Sequence, residues 1–296
     1  MLIDVHQHFW PPAFVELLRA RTTSPRLDGW TLHLTGEPPY EVAPADHDLA
    51  ARATLAAADG LDLALVSLSS PLGIEQLPPA EATPLLDAFH DGALALPAPF
   101  GVWASACLSD PDPEAVERAL RRGCVGLQLP ATALLDAAGW RQCAPLLDTL
   151  VHLDKPLFVH PGQAPPGTEA PPWWPALVPY LQQMHASWFA FRAFGRARHP
   201  RLRVCFAALA GLAPLHGERF ATRGGGRGEV DFGVFYETSS YGTRAVDALV
   251  RAVGIDVIVN GSDRPYAAPV VPDLGADAAR HALRTTNPLR LLHGSS

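Results

Sequence analysis

Three histidines and one aspartate are the residues of this chain whose types and spacing point to metal chemistry. They lie in Asp4-Val5-His6-Gln7-His8, in Phe158-Val159-His160-Pro161-Gly162 and in Asn260-Gly261-Ser262-Asp263-Arg264-Pro265. Each segment closes a short apolar run of strand type. Side chains two apart on a strand share a face, so His6 and His8 project together. Imidazole nitrogens and a carboxylate oxygen form a donor set suited to one divalent ion, Zn²⁺ first and Mn²⁺ second. Taken singly, each element is weak. A His-x-His pair arises by chance, and a lone histidine at a strand end is more often a hydrogen-bonded core residue. Their weight depends on a fold that brings the three segments to one place.

The order of elements supplies such a fold. Strand-type runs are expected at Leu2–His6, Leu63–Leu68, Gly101–Cys107, Val125–Leu129, Pro156–His160, Leu202–Phe206, Val234–Thr238 and Val257–Asn260. Helix-compatible stretches fall at His47–Asp59, Ala80–Leu96, Pro113–Arg121, Ala144–Leu153, Pro175–Arg198, Ala213–Thr222, Arg244–Val253 and Asp277–Arg284. Pro113 at a helix start, and Gly123 and Gly254 after helix ends, fit the usual asymmetry of caps. Alternating buried strands and helices read as a parallel sheet closed into a single (β/α)8 barrel spanning residues 1–296. An open doubly wound sheet would carry a glycine-rich fingerprint after its first strand, and this chain has none. In a barrel, the ends of strands one, five and eight meet at the catalytic mouth.

Composition agrees and excludes other classes. The 296 residues are 48% hydrophobic and 18% charged, enough to bury a large core and unlike a disordered chain. Lys and Arg number 23 against 30 Asp and Glu, a net charge of 23 − 30 = −7. That balance offers no basic footprint for nucleic acid or an anionic membrane surface. The partner expected is a small-molecule substrate. Four scattered cysteines, Cys107, Cys124, Cys143 and Cys205, read as reduced and structural. No secretory leader and no membrane-length apolar run is visible, so a cytoplasmic location is expected. Proline, at 30 residues, is about twice as frequent as usual and marks element boundaries and stiff loops. Gly224-Gly225-Gly226 reads as a mobile surface loop.

With these segments in order, the chain resembles the amidohydrolase superfamily. Within it, the DVHQH, FVHPG and NGSDRP segments resemble the amidohydrolase-related (amidohydrolase 2) family, which includes aminocarboxymuconate-semialdehyde decarboxylase and related aromatic-acid decarboxylases. The likeness runs from Asp4 to Asn287-Pro288-Leu289-Arg290-Leu291-Leu292. It implies a (β/α)8 barrel holding one divalent metal, usually zinc, with His6, His8, His160 and Asp263 as ligands. It also makes a homodimer plausible.

Two departures shape the chemistry. The family closes strand six with a catalytic His followed by glycines. Here the segment is Cys205-Phe206-Ala207-Ala208-Leu209-Ala210-Gly211, with Ala208 at the histidine's place. His216 further along is the candidate substitute; otherwise it is a polar residue on the first turn of a helix. Strand four ends Leu127-Gln128-Leu129-Pro130, without the Lys or Glu that bridges a binuclear centre. A single metal is expected. Metal-bound water has its pKa lowered toward neutrality, and Asp263 can move its proton. This favours hydrolysis of a cyclic or aromatic carboxylic acid derivative: an ester, lactone or amide. The alternatives are a decarboxylase that has moved its acid/base role to His216 or the substrate, a metal-independent lactonase, and a binding protein that has lost catalysis.

Substrate-facing candidates follow from position. Arg264 is a carboxylate-binding candidate or a structural rim residue. Trp10, Trp173 and Trp174 lie in loops after strands one and five and suit ring stacking or a hydrophobic lid. Gln128 and Glu237, at the ends of strands four and seven, face the mouth or support it by hydrogen bonds. His33, His47, His90, His152, His185, His199, His281 and His293 are read as surface residues.

Overall fold

The computed structural model describes residues 1–35, 37–165, 170–226 and 229–294. Eight parallel strands form its centre: β1 (Ile3–His8), β2 (Leu63–Ser67), β3 (Phe100–Val102), β4 (Leu127–Pro130), β5 (Leu157–His160), β6 (Val204–Phe206), β7 (Val234–Glu237) and β8 (Ile258–Val259). β1–β3 make one continuous ladder and β4–β8 another. Two seams join them into a closed ring. At β3/β4, Ala104 bridges Leu127, with Ala104 N donating to Gly126 O (2.9 Å) and Gln128 N to Ala104 O (2.8 Å). At β8/β1, Gln7 bridges Arg264, with Val5 N donating to Asn260 O (3.0 Å) and His8 N to Arg264 O (2.6 Å). The barrel expected from the sequence is therefore present.

Every residue of β1 and of β4–β7 is buried, as strands enclosed by their own helices require. Inside the ring, Trp103 stacks on Phe158 at 5.3 Å between centroids and donates its indole N–H to Val5 O (2.9 Å). His6 stands edge-on to Phe158 at 5.0 Å, so a packed aromatic floor lies directly beneath the histidines. The surrounding helices start where aspartates satisfy free backbone N–H groups. Asp48 accepts from Ala51 N, Asp112 from Glu114 and Ala115 N, and Asp136 from Ala138 and Gly139 N.

The structure corrects several element expectations. Helix Ala137–His152 begins earlier than expected because Asp136 caps it, and it runs through Pro145. The long helix expected over 175–198 is instead Trp174–Leu177 and Pro179–Ala190, followed by a wider turn at Phe191–Gly195. Between β1 and β2 the chain forms helix Pro12–Ala20 and an antiparallel sheet of Arg26–Asp28, Thr31–His33 and Tyr40–Glu41. This excursion has no counterpart in the sequence reading. Nor is His47, His90 or His199 at the surface: all three are buried. Trp10 N donates to His47 Nδ1 (3.1 Å) and Ser105 N to His90 Nε2 (2.9 Å). Burial holds these rings neutral, His47 down to about 3 and His90 to about 4, so each serves the backbone as an acceptor.

After β6 and before the helix expected from Ala213, Ala208, Leu209, Ala210, Gly211 and Leu212 all take left-handed backbone angles, φ +48° to +60°. Such a conformation costs a non-glycine residue roughly 1–2 kcal/mol. At Gly211 an added Cβ would collide with Leu181 O, so the turn presses directly on helix Pro179–Ala190. Right-handed turns resume at Ala213, first as a tighter segment to His216 and then as helix Gly217–Thr222, so the expected helix Ala213–Thr222 is present in two pieces. Gly224, Gly225 and Gly226 follow it, and positions 227–228 lie outside the described residues. All four cysteines are free, and burial pushes the thiols of Cys124 and Cys143 up to about 12. Among the described residues no helix is long and apolar enough to cross a membrane.

Candidate metal centre

β1 carries a bulge: Asp4 pairs with Ala64 but Gln7 with Val66, so one extra residue lies on the β1 side. His6 within the bulge and His8 beyond it both turn inward, their Nε2 atoms 3.1 Å apart. His160, at the end of β5, places its ring 4.9 Å from each of theirs and nearly perpendicular to both. The loop after β8 returns Asp263, whose Oδ1 lies 3.4 Å from His6 Nε2 and 3.1 Å from His8 Nε2. One ligand atom from each of the four residues falls within 4.8 Å of the others. The three imidazoles are buried, while a quarter of the Asp263 side chain is exposed and marks the open side.

The hydrogen bonds behind the rings decide whether this set fits an ion. His6 Nδ1 meets Glu237 Oε2 (3.2 Å), His8 Nδ1 meets Ser67 O (3.1 Å) and His160 Nδ1 meets Pro161 O (2.8 Å). Carboxylates and carbonyls only accept, so the network assigns the ring proton to Nδ1 in all three residues. Three Nε2 lone pairs and an anionic oxygen are then left converging. Two lone pairs facing across 3.1 Å repel unless a cation lies between them. The set fits a divalent ion held by neutral imidazoles, each oriented through its other nitrogen.

Electrostatics points the same way. For Asp263, burial alone would raise the carboxyl, but His6, His8 and His160 outweigh it and hold it at about 2. Burial drives His8 down, and burial with the neighbouring His6 and His8 rings drives His160 well below its ordinary value. His6 differs: burial lowers it, yet Glu237 and Asp263 together leave it raised.

Further partners hold the donors in place. Glu237 also accepts from Ala208 N (3.2 Å), Ser239 Oγ (2.7 Å) and Ser239 N. Gly261 presses so closely on this carboxylate that an added Cβ would overlap it. Replacing Glu237 with Gln will release the His6 tautomer and weaken metal binding about 10–100-fold, read as a metal dissociation constant by competition with a chelator. Asp4 accepts from His6 N (3.1 Å), Gln7 Nε2 (2.8 Å) and Ser262 N (3.0 Å), stitching β1 to the Asp263 loop. Arg52, fully buried, donates to Gln7 Oε1 (2.6 Å), His8 O (2.6 Å) and Asp46 O (2.9 Å). Sequence reading missed Asp4 and Arg52, since their roles depend on contacts across the fold.

The other candidates are dispersed. Arg264 gives its guanidinium to Asp59 (2.8 Å). Trp10 is fully buried, stacked on His47 at 4.3 Å, with its indole N–H on Ser69 Oγ (3.2 Å). Trp173 and Trp174 stand exposed beside one another at 5.8 Å. His216 is exposed and edge-on to His185, outside the four-residue cluster. Tyr266, not singled out from sequence, packs against the His8 ring at 5.3 Å and shares a hydrogen bond with Ser69 Oγ (3.0 Å). Its place in the turn begun by Asp263, whose carbonyl accepts Tyr266 N (2.9 Å), was the available signal.

Gln128 is buried and donates to Leu68 O (2.7 Å) and Ser70 Oγ (2.9 Å), and Ser70 Oγ in turn bonds Glu75. Burial pushes the Glu75 carboxyl up to about 7. Because the folded protein then binds a proton that the unfolded chain has released, stability is complete below the unfolded value near 4.5 and falls as pH rises through 7. The loss is about 3 kcal/mol. Chemical denaturation of the wild type at pH 5 and pH 8 will show it, and Glu75→Gln will largely remove the difference.

A closed parallel barrel with His-x-His on its first strand, His on its fifth and Asp after its eighth is the arrangement that the sequence's resemblance to the amidohydrolase superfamily led us to expect. The sequence matches no family model and no curated protein. Solved structures do match. The IDCase of Metarhizium anisopliae superposes with a TM-score of 0.79 at 18% identity, over 100% of this chain and 98% of that one. A 5-carboxyvanillate decarboxylase from Novosphingobium aromaticivorans, with manganese bound, gives 0.76 at 18% identity over 99% and 97%. The 2,6-dihydroxybenzoate decarboxylase from Rhizobium gives 0.70 at 18% identity over 98% of each chain. At this identity the likeness establishes the fold.

Proposed function

We propose that this protein is a mononuclear metal-dependent carboxy-lyase acting on a small aromatic or unsaturated acid. The observation that carries the reading is the convergence of three Nδ1-pinned imidazoles and ionised Asp263 at the mouth of this barrel. The solved structures that share the fold favour decarboxylation over the hydrolysis expected from sequence. A divalent ion held by His6, His8, His160 and Asp263 would supply a Lewis acid and a fixed positive charge. His6, His8 and His160 fix the site's geometry, and Asp263 stays ionised through the neutral range. Tyr266 offers a ring face beside His8 for a planar substrate. The buried Trp103 and Phe158 close the site to water from below, which favours loss of a charged carboxylate as neutral CO₂. The nitrogen-rich donor set suits zinc, and manganese is the second candidate.

A second reading, hydrolysis of a lactone or ester, is supported by Ala208, which leaves β6 without a proton-carrying side chain. One experiment separates the two. Protein loaded with zinc or with manganese is given a panel of hydroxybenzoic and unsaturated dicarboxylic acids alongside lactones and aryl esters. CO₂ release from the acids supports the carboxy-lyase; acid release from lactones or esters with no CO₂ overturns it.

A further inference from the structure

A cleft in the outer layer lies apart from the metal donors. Between helix Ala137–His152 and the wide turn Phe191–Gly195 opens a space of about 240 Å³, lined by Trp140, Arg141, Phe194, Gly195, Arg198 and His199. Sites for drug-sized ligands measure about 300–1,000 Å³, so this one has room for a single ring. Gly195 lets the turn close onto the Phe191 and Trp140 rings, which an added Cβ would overlap. Wide turns of this kind are rare and are frequent at functional sites. His199 supplies the observation that asks for a ligand. It is 2% exposed, and its Nε2 meets Asp148 Oδ1 (3.0 Å). A carboxylate only accepts, so this contact puts the ring proton on Nε2 and leaves a lone pair on Nδ1. Among the described residues that buried Nδ1 has no partner. Burial lowers the His199 ring below its ordinary value against the pull of Asp148, which keeps Nδ1 an acceptor at neutral pH.

Buried polar atoms of folded proteins are nearly always paired, so an orphan beside a cleft calls for a donor from outside the chain. The rest of the lining describes the molecule that brings it. Arg198 reaches Asp148 Oδ2 only at 3.7 Å, and among the described residues Arg141 has no acidic partner. Two such guanidiniums select a carboxylate. Phe194 is 48% exposed, and Trp140 has its indole N–H already on Leu134 O (3.0 Å), so both offer aromatic surface to a flat ring. We propose that this cleft binds a small aromatic acid that also carries a hydrogen-bond donor, of the hydroxybenzoate class. Its ring lies against Trp140 and Phe194, its carboxylate meets Arg141 and Arg198, and its hydroxyl donates to His199 Nδ1. None of these residues belongs to the four metal donors, and the inference stands without the carboxy-lyase reading.

The test uses full-length, zinc-loaded protein with ¹⁵N-labelled histidine side chains, titrated with the three hydroxybenzoate isomers and the matching fluorobenzoates. Asp263→Asn serves as the background for any isomer that the wild type consumes, and Asp148→Asn, at an exposed position, assigns the His199 signals. At least one hydroxybenzoate should move the His199 Nδ1 signal saturably. Its fluoro counterpart keeps the ring and the carboxylate but loses the donor, and should bind about 10-fold more weakly. Arg141→Gln, also at an exposed position, should weaken binding about 10-fold while leaving metal content unchanged. A His199 Nδ1 signal that none of the acids moves, as when the cleft holds water alone, overturns the inference. So does equal binding of the hydroxy and fluoro acids. The signals of His6, His8 and His160 report the mouth separately, so either result leaves the carboxy-lyase reading standing.

Discussion

Asp263→Asn should keep the fold and lower turnover about 10³-fold or more. The substitution is unusually clean here because Asp263 sits at φ +60°, a left-handed conformation that asparagine tolerates well. The backbone bonds Asp263 N→His6 O (2.9 Å) and Tyr266 N→Asp263 O (2.9 Å) persist in the variant. What disappears is the negative charge that His6, His8 and His160 hold ionised down to about pH 2. Elemental analysis divides the effect. Metal retained with activity gone assigns Asp263 to proton movement; metal lost assigns it to ligation. Wild-type turnover in this variant would remove the mechanism. The companion variant His6→Ala/His160→Ala should lose its equivalent of metal altogether.

Arg52→Met should be the most destabilising single change near the site, by about 3–5 kcal/mol. Arg52 is 2% exposed, and burial pulls its guanidinium down to about 10, still charged at neutral pH. Without it, Gln7 Oε1, His8 O and Asp46 O lose their donor inside the protein, at about 1–3 kcal/mol for each group left unpaired. Because two of these acceptors flank His6, metal affinity should fall with stability. Thermal denaturation with and without zinc measures both, and a drop in Tm of only a degree or two would show that the Arg52 network does not anchor β1.

The donors were legible because metal chemistry needs particular residue types at strand ends, and strand alternation puts His6 and His8 on one face. The barrel was legible because buried parallel strands read as apolar runs between turns. What stayed hidden has physical causes. Strands of two or three residues, such as Tyr40–Glu41, are too short to show a period, so the excursion had no local signature. Apart from Gly211, the run Ala208-Leu209-Ala210-Gly211-Leu212 is made of good helix formers, yet packing against helix Pro179–Ala190 holds it left-handed. His47 and His90 carry no mark of burial in sequence, because each is buried as a neutral acceptor for a distant N–H. Arg264 illustrates the converse: its neighbourhood to Asp263 left a substrate contact and a structural rim role equally open, and Asp59 across the fold accepts from its guanidinium.

The seam between β1 and β8 also has a meaning for biosynthesis. His6 and His8 leave the ribosome before Asp263, and the Gln7–Arg264 bridge that closes the ring forms only after the segment carrying Asp263 has emerged. A partly made chain can offer imidazoles but not the complete cage, and metal binding that depends on folding strengthens only with the finished site. Capture of an ion at the proposed site would therefore report that the chain has closed, and its affinity for the finished cage would add to the stability of the closed chain against stalled or misassembled ones.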